Sequence, residues 1–479
     1  MKITRLSFAA VVACMATASF AATDLASAFK EGKLDGRVRA HYMGADYADN
    51  SIASGVGKSD SKGLAVGGSL IYKTAPLYGI SVGVGGYTTQ NPGLTEDHGD
   101  TANYVSNKDL FWDSPSNKNP YQYGKGYAIL AQAYLQYDIS KSNIKAGRML
   151  LTNPFMTPND TKMIPTAFQA LAVESKDVAD TVITAAHVTN YKERRRETFG
   201  DMVDSADAPD ALKLYYHIEN GSGTNDSSSV TVLGAKNNSV KNLELQGWVM
   251  VWPDIVNQLV LEANYNMKFS DFGLTLGARY FGQSDKGAGD IIRPQTASSA
   301  YSTGGYKYKG DNDDKIDTYM YAVRAIGAYK AAKLLLSYSH TDKGGDLLAP
   351  WRAFPTEGYT RSMTQTDWNA NTTAYKIQLD YDFSEYLKGF SALLGYSSYD
   401  RDPSRVPYQS MTHRGYTNGD TRQWNFDMMY KPAFAKNTEF KIRTMDQKND
   451  TVGKVGSNTS TANKDTSNKE LRIEINYLF

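Results

Sequence analysis

Residues 373–383 read Thr-Ala-Tyr-Lys-Ile-Gln-Leu-Asp-Tyr-Asp-Phe, an unbroken two-residue alternation. Tyr375, Ile377, Leu379, Tyr381 and Phe383 fall on one face of an extended chain, and Lys376, Gln378, Asp380 and Asp382 on the other. The apolar row ends in aromatic residues, as a strand does where it meets both water interfaces of a membrane. The same grammar recurs over 259–269, where Leu259, Leu261, Ala263, Tyr265, Met267 and Phe269 oppose Glu262, Asn264, Asn266 and Lys268. In 424–430, Trp424, Phe426, Met428 and Tyr430 oppose Asn425, Asp427 and Met429.

Working outward from these runs gives eighteen strands: 34–47, 63–74, 79–88, 126–139, 143–151, 168–175, 181–190, 227–236, 242–252, 258–269, 271–282, 317–330, 332–341, 373–383, 388–399, 420–431, 437–447 and 468–479. The segment 212–219 also has strand character and competes with 227–236. Short connections such as 75–78, 140–142 and 384–387 interleave with long ones such as 89–125, 283–316 and 342–372. That parity suits an all-β transmembrane antiparallel barrel with turns on one side and loops on the other; a soluble sandwich has no reason to keep it. The parity puts 89–125, 192–226, 283–316 and 342–372 outside the cell. The closing run sets Leu471, Ile473, Ile475, Tyr477 and Phe479 against Glu470, Arg472, Glu474 and Asn476. It resembles the assembly signal of bacterial outer-membrane barrels, against the alternative of a soluble edge strand ending in Phe. No repeat of 20–50 residues marks a propeller or solenoid.

Composition agrees with this reading. The 479 residues carry 52 Lys+Arg against 51 Asp+Glu, so no net field recruits nucleic acid. With 41% hydrophobic and 22% charged residues the chain is not disordered, and 40 Gly with 33 Tyr favour strands and tight turns. No apolar run of helical-span length follows the start of the chain. Lys2 and Arg5, the apolar stretch Leu6 to Ala18 and the small residues around Ala21 predict a signal peptide over 1–21 and one barrel domain over 22–479. Cys14, the one cysteine, falls in the removed segment; the alternative is a lipoprotein box that lipidates it.

Motifs for other chemistry fail. Gly57-Lys58-Ser59 mimics a phosphate loop, but the required Gly is Ile52. The six His (41, 98, 187, 217, 340 and 413) form no i,i+4 pair, and no cofactor or metal is predicted. Asp311, Asp313 and Asp314 could hold Ca²⁺ or sit in a solvated loop, though the turn Gly of an EF-hand is missing. Arg194-Arg195-Arg196 would lie in an external loop, either on lipopolysaccharide phosphates or solvated.

The segment NIKAGRMLLTNPFMTPNDTKMIPTAFQALAVES (143–175) resembles strand five, the inward-folded third loop and strand six of the OprD-type bacterial outer-membrane porins. The matching pieces are Gly147, Pro154, Asp160, Met163, Pro165 and Phe168. The opening GRVRAHYMGADY and the hairpin LQGWVMVWPDIVNQLVLEANYN are similar in pattern. The resemblance implies 18 strands, a channel narrowed by the third loop, and passive uptake of small hydrophilic solutes, often carboxylates, past a row of wall arginines. The long aromatic segment 89–125 departs from the family, so solute preference does not carry over.

Parity then assigns the pore. Leu34, Val38, Ala40 and Tyr42 must meet lipid, so Arg37, Arg39 and His41 face the lumen. Lys441 and Arg443 face in opposite Phe440 and Ile442, and Arg472 opposite Leu471 and Ile473. Closure makes these strands neighbours, so Arg37, Arg39, Lys441, Arg443 and Arg472 form a basic ladder on one wall. The alternative is that Glu439, Glu470 and Glu474 neutralise them in ordinary salt bridges. Pro154, Asp160, Lys162 and Pro165 define the constriction loop, with an acid at the narrowing. The expected partners are small solutes, outer-membrane lipid and lipopolysaccharide; whether barrels form a homotrimer stays open. A barrel enzyme and a β-rich surface adhesin or lipoprotein remain the alternatives to a channel.

Overall fold

The computed structural model describes residues 22–48, 60–93, 110–111, 125–194, 196–202, 229–287, 315, 317–348, 358–364, 367–402, 419–450 and 467–479. The expected signal peptide 1–21, the 212–219 segment, Gly57-Lys58-Ser59, Arg195 and Asp311, Asp313 and Asp314 lie outside the described residues. A six-residue helix, α1 (Leu25–Lys30), comes first, capped by Asp24, whose carboxylate accepts from the Ser27 N–H at 2.9 Å. The strands are β1 (Lys33–Tyr47), β2 (Ser61–Lys73), β3 (Ile80–Gln90), β4 (Tyr127–Ile139), β5 (Ser142–Met149), β6 (Ala167–Ser175), β7 (Thr181–Lys192), β8 (Gly200–Asp201), β9 (Val230–Asn237) and β10 (Leu243–Trp252). They continue with β11 (Val256–Phe269), β12 (Phe272–Asp285), β13 (Thr318–Tyr329), β14 (Ala332–Thr341), β15 (Thr372–Asp382), β16 (Phe390–Arg401), β17 (Thr421–Tyr430), β18 (Thr438–Asn449) and β19 (Asn468–Leu478).

Among the described residues, eighteen of these strands pair antiparallel in chain order, and β19 returns to β1, so the sheet closes. Closure removes the unpaired strand edges that hydrocarbon cannot satisfy. β8 is a two-residue stub on β7, which pairs onward with β9. The eighteen wall strands fall within three residues of the alternating runs at every end.

The outward rows hold the lipid-facing side chains. Leu261, Leu336, Ile377, Leu379, Leu394 and Ile475 remain exposed on the barrel's exterior although they are apolar. Aromatic contacts bound this belt above and below. Toward the short turns lie Tyr381–Phe383 at 4.5 Å and Phe383–Phe390 at 5.4 Å; toward the loops lie Tyr338–Tyr375 at 5.2 Å and Tyr396–Trp424 at 4.8 Å. On β15 the girdle residues Tyr375 and Tyr381 are about 20 Å apart along the strand, which suits a hydrocarbon band crossed at a tilt. Ser140, Ser270 and Lys330 adopt positive φ in the two-residue turns, which lets the strands reverse so tightly. One outer connection breaks the length alternation: only residues 253–255 join β10 to β11, and Ile255 is buried.

Gly147, inside β5, takes a conformation that other residues avoid. Its φ is 126°, and a Cβ there would lie 2.4 Å from the Ala133 carbonyl oxygen of β4. Neither backbone can yield without disturbing the ladder. Gly147→Ala is expected to cost about 1–3 kcal/mol from the backbone alone, and to lower the yield of the heat-modifiable folded band on a denaturing gel. A normal folded band would show that β5 can relax.

Candidate functional site: a charged narrowing of the lumen

The third outer loop, L3 (150–166), turns into the barrel. Asn153 opens it with an Asx turn, its Oδ1 accepting from the Phe155 and Met156 N–H groups, both at 2.9 Å, with Pro154 between. Phe155 packs edge-on against Phe281 of β12, centroids 6.1 Å apart. Farther along, Met163 and Ile164 are buried with Met43 of β1, Ala65 of β2 and Ala131 of β4. Pro165 closes the loop, its carbonyl accepting from the buried Lys192 Nζ at 3.1 Å. β12 and β1 lie on nearly opposite sides of the ring, so L3 crosses the lumen.

Its tip meets the predicted wall. Arg37 donates to Asp160 from Nη1 at 2.5 Å and from Nη2 at 3.1 Å, and Arg39 Nη1 reaches the same carboxylate at 3.2 Å. Arg39 also donates to the Lys162 carbonyl and, through Nη2, to Glu474 of β19 at 2.7 Å. Lys162 is buried, with its Nζ 3.1 Å from the Met43 sulfur. In the wall register Arg443 pairs with Arg472, and Lys441 with Glu474, which in turn pairs with His41. Two arginines side by side repel unless each has an acid. Asp427 of β17 accepts from Arg443 Nε at 2.8 Å, and Glu470 from Arg472 Nε at 2.5 Å.

The five ladder residues and Lys162 therefore converge on one wall, facing Asp160, Asp427, Glu470 and Glu474: six cations against four carboxylates. Glu439 pairs with Lys431 at 3.2 Å and also lies within the electrostatic reach of Lys441, so this added ion pair leaves the balance of the wall unchanged. Asp160 and Asp427 are the acids that the sequence reading did not assign to the ladder.

A second charged group sits across the lumen. Glu262 of β11 is buried and accepts from Arg279 Nε of β12 at 2.8 Å and from Asn264 at 2.8 Å, with Arg324 Nη2 of β13 at 3.4 Å. Tyr359, from the connection after β14, donates its hydroxyl to Glu262 at 2.8 Å and lies under the Arg324 guanidinium at 4.2 Å. Burial and the adjoining Glu262 carboxylate push the Tyr359 hydroxyl well up, so it stays protonated and donates.

Tyr359 marks a correction. The connection 342–372 was expected to stand outside, yet its described residues line the barrel's inner wall. Ser339 bonds Thr360 at 2.7 Å, the Thr364 hydroxyl lies between Gln423 Oε1 at 2.8 Å and Gln447 Oε1 at 2.9 Å, either of which can accept its one hydrogen, and the Leu348 N–H donates to Gln283 at 2.8 Å. Inward rows rich in Ser, Thr and Gln need partners where lumen water is excluded, and this loop, L7, supplies them. Burial pushes the Asp346 carboxyl of L7 up to about 6, although the Ala370 N–H bonds it at 2.6 Å. In the segment 89–125, Leu110 and Phe111 also dip inward and join the Met43 cluster. Arg194 and Arg196, expected in an external anion patch or in solvent, are buried; the Arg194 carbonyl accepts from the Tyr127 hydroxyl. Among the described residues no group of three or more His, Cys, Asp or Glu could hold a metal ion.

Replacing Tyr359 by Phe removes one hydrogen bond to a buried carboxylate. The expected result is L7 docking weaker by about 1.5–3 kcal/mol, visible as added open-channel current noise. Unchanged noise would mean that the Ser and Thr contacts hold L7 without it.

A closed antiparallel barrel with a lipid-facing belt and a polar lumen narrowed by inserted loops is an outer-membrane diffusion channel. The profile of the family described as outer membrane porin, OprD family, matches residues 28–479. The chain belongs to that family, and its place is the bacterial outer membrane. Among solved structures it resembles Pseudomonas aeruginosa OccK9 (OpdG) with a TM-score of 0.70 at 16% identity, covering 95% of this chain and 99% of that one. P. aeruginosa OpdK with vanillate gives 0.69 at 14%, covering 94% and 99%. P. aeruginosa OccK2 (OpdF) in complex with glucuronate gives 0.65 at 14%, covering 94% and 98%. No curated protein matches the chain in sequence.

Proposed function

We propose that this porin favours small carboxylates over neutral and cationic solutes of the same size. The excess of cations on the β17–β1 wall, facing the L3 tip, carries the reading. Arginine keeps its charge at any relevant pH and grips a carboxylate through a planar fork, so successive arginines hand an anion along in steps. The vanillate and glucuronate bound by two structural neighbours are both carboxylates, which supports the choice of solute class. The apolar belt between aromatic girdles suits contact with outer-membrane lipid.

The test is purified protein in planar bilayers under a salt gradient, followed by liposome swelling with glucuronate and glucose. An anion-selective reversal potential and faster glucuronate entry are expected. Equal rates for the two solutes would overturn the reading.

A further inference from the structure

The acid on Arg37 and Arg39 differs from the others on this wall. Asp427 and Glu470 sit on strands, fixed by the backbone ladder. Asp160 sits at the tip of a loop outside any strand register. Its presentation is nonetheless built: Asn159 adopts φ 46°, the Thr161 N–H and hydroxyl close onto the Asn159 carbonyl and Oδ1 at 2.8 and 2.9 Å, and the Thr166 N–H closes onto the Pro158 carbonyl at 2.7 Å. Asn is among the few residues that tolerate this left-handed conformation. The self-closed turn aims one carboxylate at two guanidinium groups.

The grip has the geometry of a bound ligand. Both Asp160 oxygens engage Arg37 in the parallel two-bond form that a dissolved carboxylate adopts on guanidinium. The Asp160 side chain is 39% exposed, against 17% for Arg37 and 6% for Arg39, so water reaches the acid more readily than the arginines. The Nε atoms of Arg37 and Arg39 are buried with no acceptor among the described residues.

We propose that Asp160 is an internal competitor: its carboxylate occupies the Arg37–Arg39 site in the resting channel, and a permeating carboxylate advances by exchanging with it. This rests on the carboxylate reading above. Exchange replaces one carboxylate by another, so the wall keeps its charge and its charge-assisted hydrogen bonds. What must move is a short turn. A tethered group acts at an effective concentration of order millimolar, so Asp160 would set the solute range over which transport saturates.

The test uses the full-length channel in liposomes, with glucuronate as the carboxylate and glucose as its neutral counterpart. In Asp160→Asn the half-saturating glucuronate concentration should fall roughly three- to tenfold, as follows if a carboxylate at about 1 mM effective concentration binds the arginine pair with a dissociation constant of about 0.1–0.5 mM, with glucose entry unchanged. Asp160→Glu, which keeps a carboxylate, should stay near the parent, and the Asn shift should vanish on an Arg37→Gln/Arg39→Gln background. Equal acceleration of glucose and glucuronate would make Asp160 a latch on the bore and overturn the proposal, as would an unmoved half-saturation. If Arg37→Gln/Arg39→Gln alone left glucuronate entry untouched, the carboxylate reading itself would fall.

Discussion

Replacing Arg37, Arg39, Arg443 and Arg472 together by Gln should shift the reversal potential toward cations and slow small-carboxylate uptake by an order of magnitude or more. Charge-assisted hydrogen bonds are worth about 1.5–3 kcal/mol each, so losing one such contact at the narrowing lowers solute occupancy by roughly tenfold or beyond. The variant also leaves Asp160, Asp427, Glu470 and Glu474 facing the lumen with most of their cations gone, which turns the local field negative. Single replacements should give graded steps in the same direction. The competing account treats the arginines as wall salt bridges, and the pairs Arg443–Asp427 and Arg472–Glu470 give it substance. The two accounts separate on a double variant. Arg443→Gln with Asp427→Asn removes a pair without changing net charge: if the pair is only a wall salt bridge, small-carboxylate uptake stays at the parent rate, whereas a ladder that has lost one arginine slows it. If the fourfold variant folds, by heat-modifiable mobility, and keeps its selectivity and uptake, the arginines are structural.

Deleting Thr157–Lys162 should raise single-channel conductance, on the order of twofold or more, because pore width sets conduction and this stretch spans the narrowing. The deletion removes Asp160 and Lys162 but keeps Phe155, which packs on Phe281, and Met163, which packs beside Met43. With only two peptide steps left between Phe155 and Met163, about 7 Å of extended chain, the shortened loop cannot hold both walls and no longer crosses the lumen. A correctly assembled barrel with unchanged conductance would assign the bore to L7 and its Tyr359–Glu262 contact instead.

The alternation by itself determined the strand number, the facing of every wall residue named here, and the closure of β19 on β1. Lipid enforces this: a strand with lipid on one face and water on the other cannot slip by one residue without inverting both faces. The convergence of Arg37, Arg39, Lys441, Arg443 and Arg472 follows from that parity plus closure. Parity sets Glu262 and Asp427 opposite the apolar rows and gives Arg279 and Arg324 the same inward facing, but it does not say which inward groups meet across strands. Their partnership needed register.

What the loops do was decided by the tertiary structure. Residues 342–372 read as an external connection, yet Tyr359, Thr360 and Thr364 find their partners on the inner wall. L3 was expected inside from the family resemblance, but the seating of Asp160 on Arg37 and Arg39 was not. A loop carries no two-residue period, and its path depends on which unpaired polar groups the barrel leaves inside. Those groups exist as a set only after eighteen strands have closed, which is why no local reading of residues 150–166 or 342–372 could have found their partners.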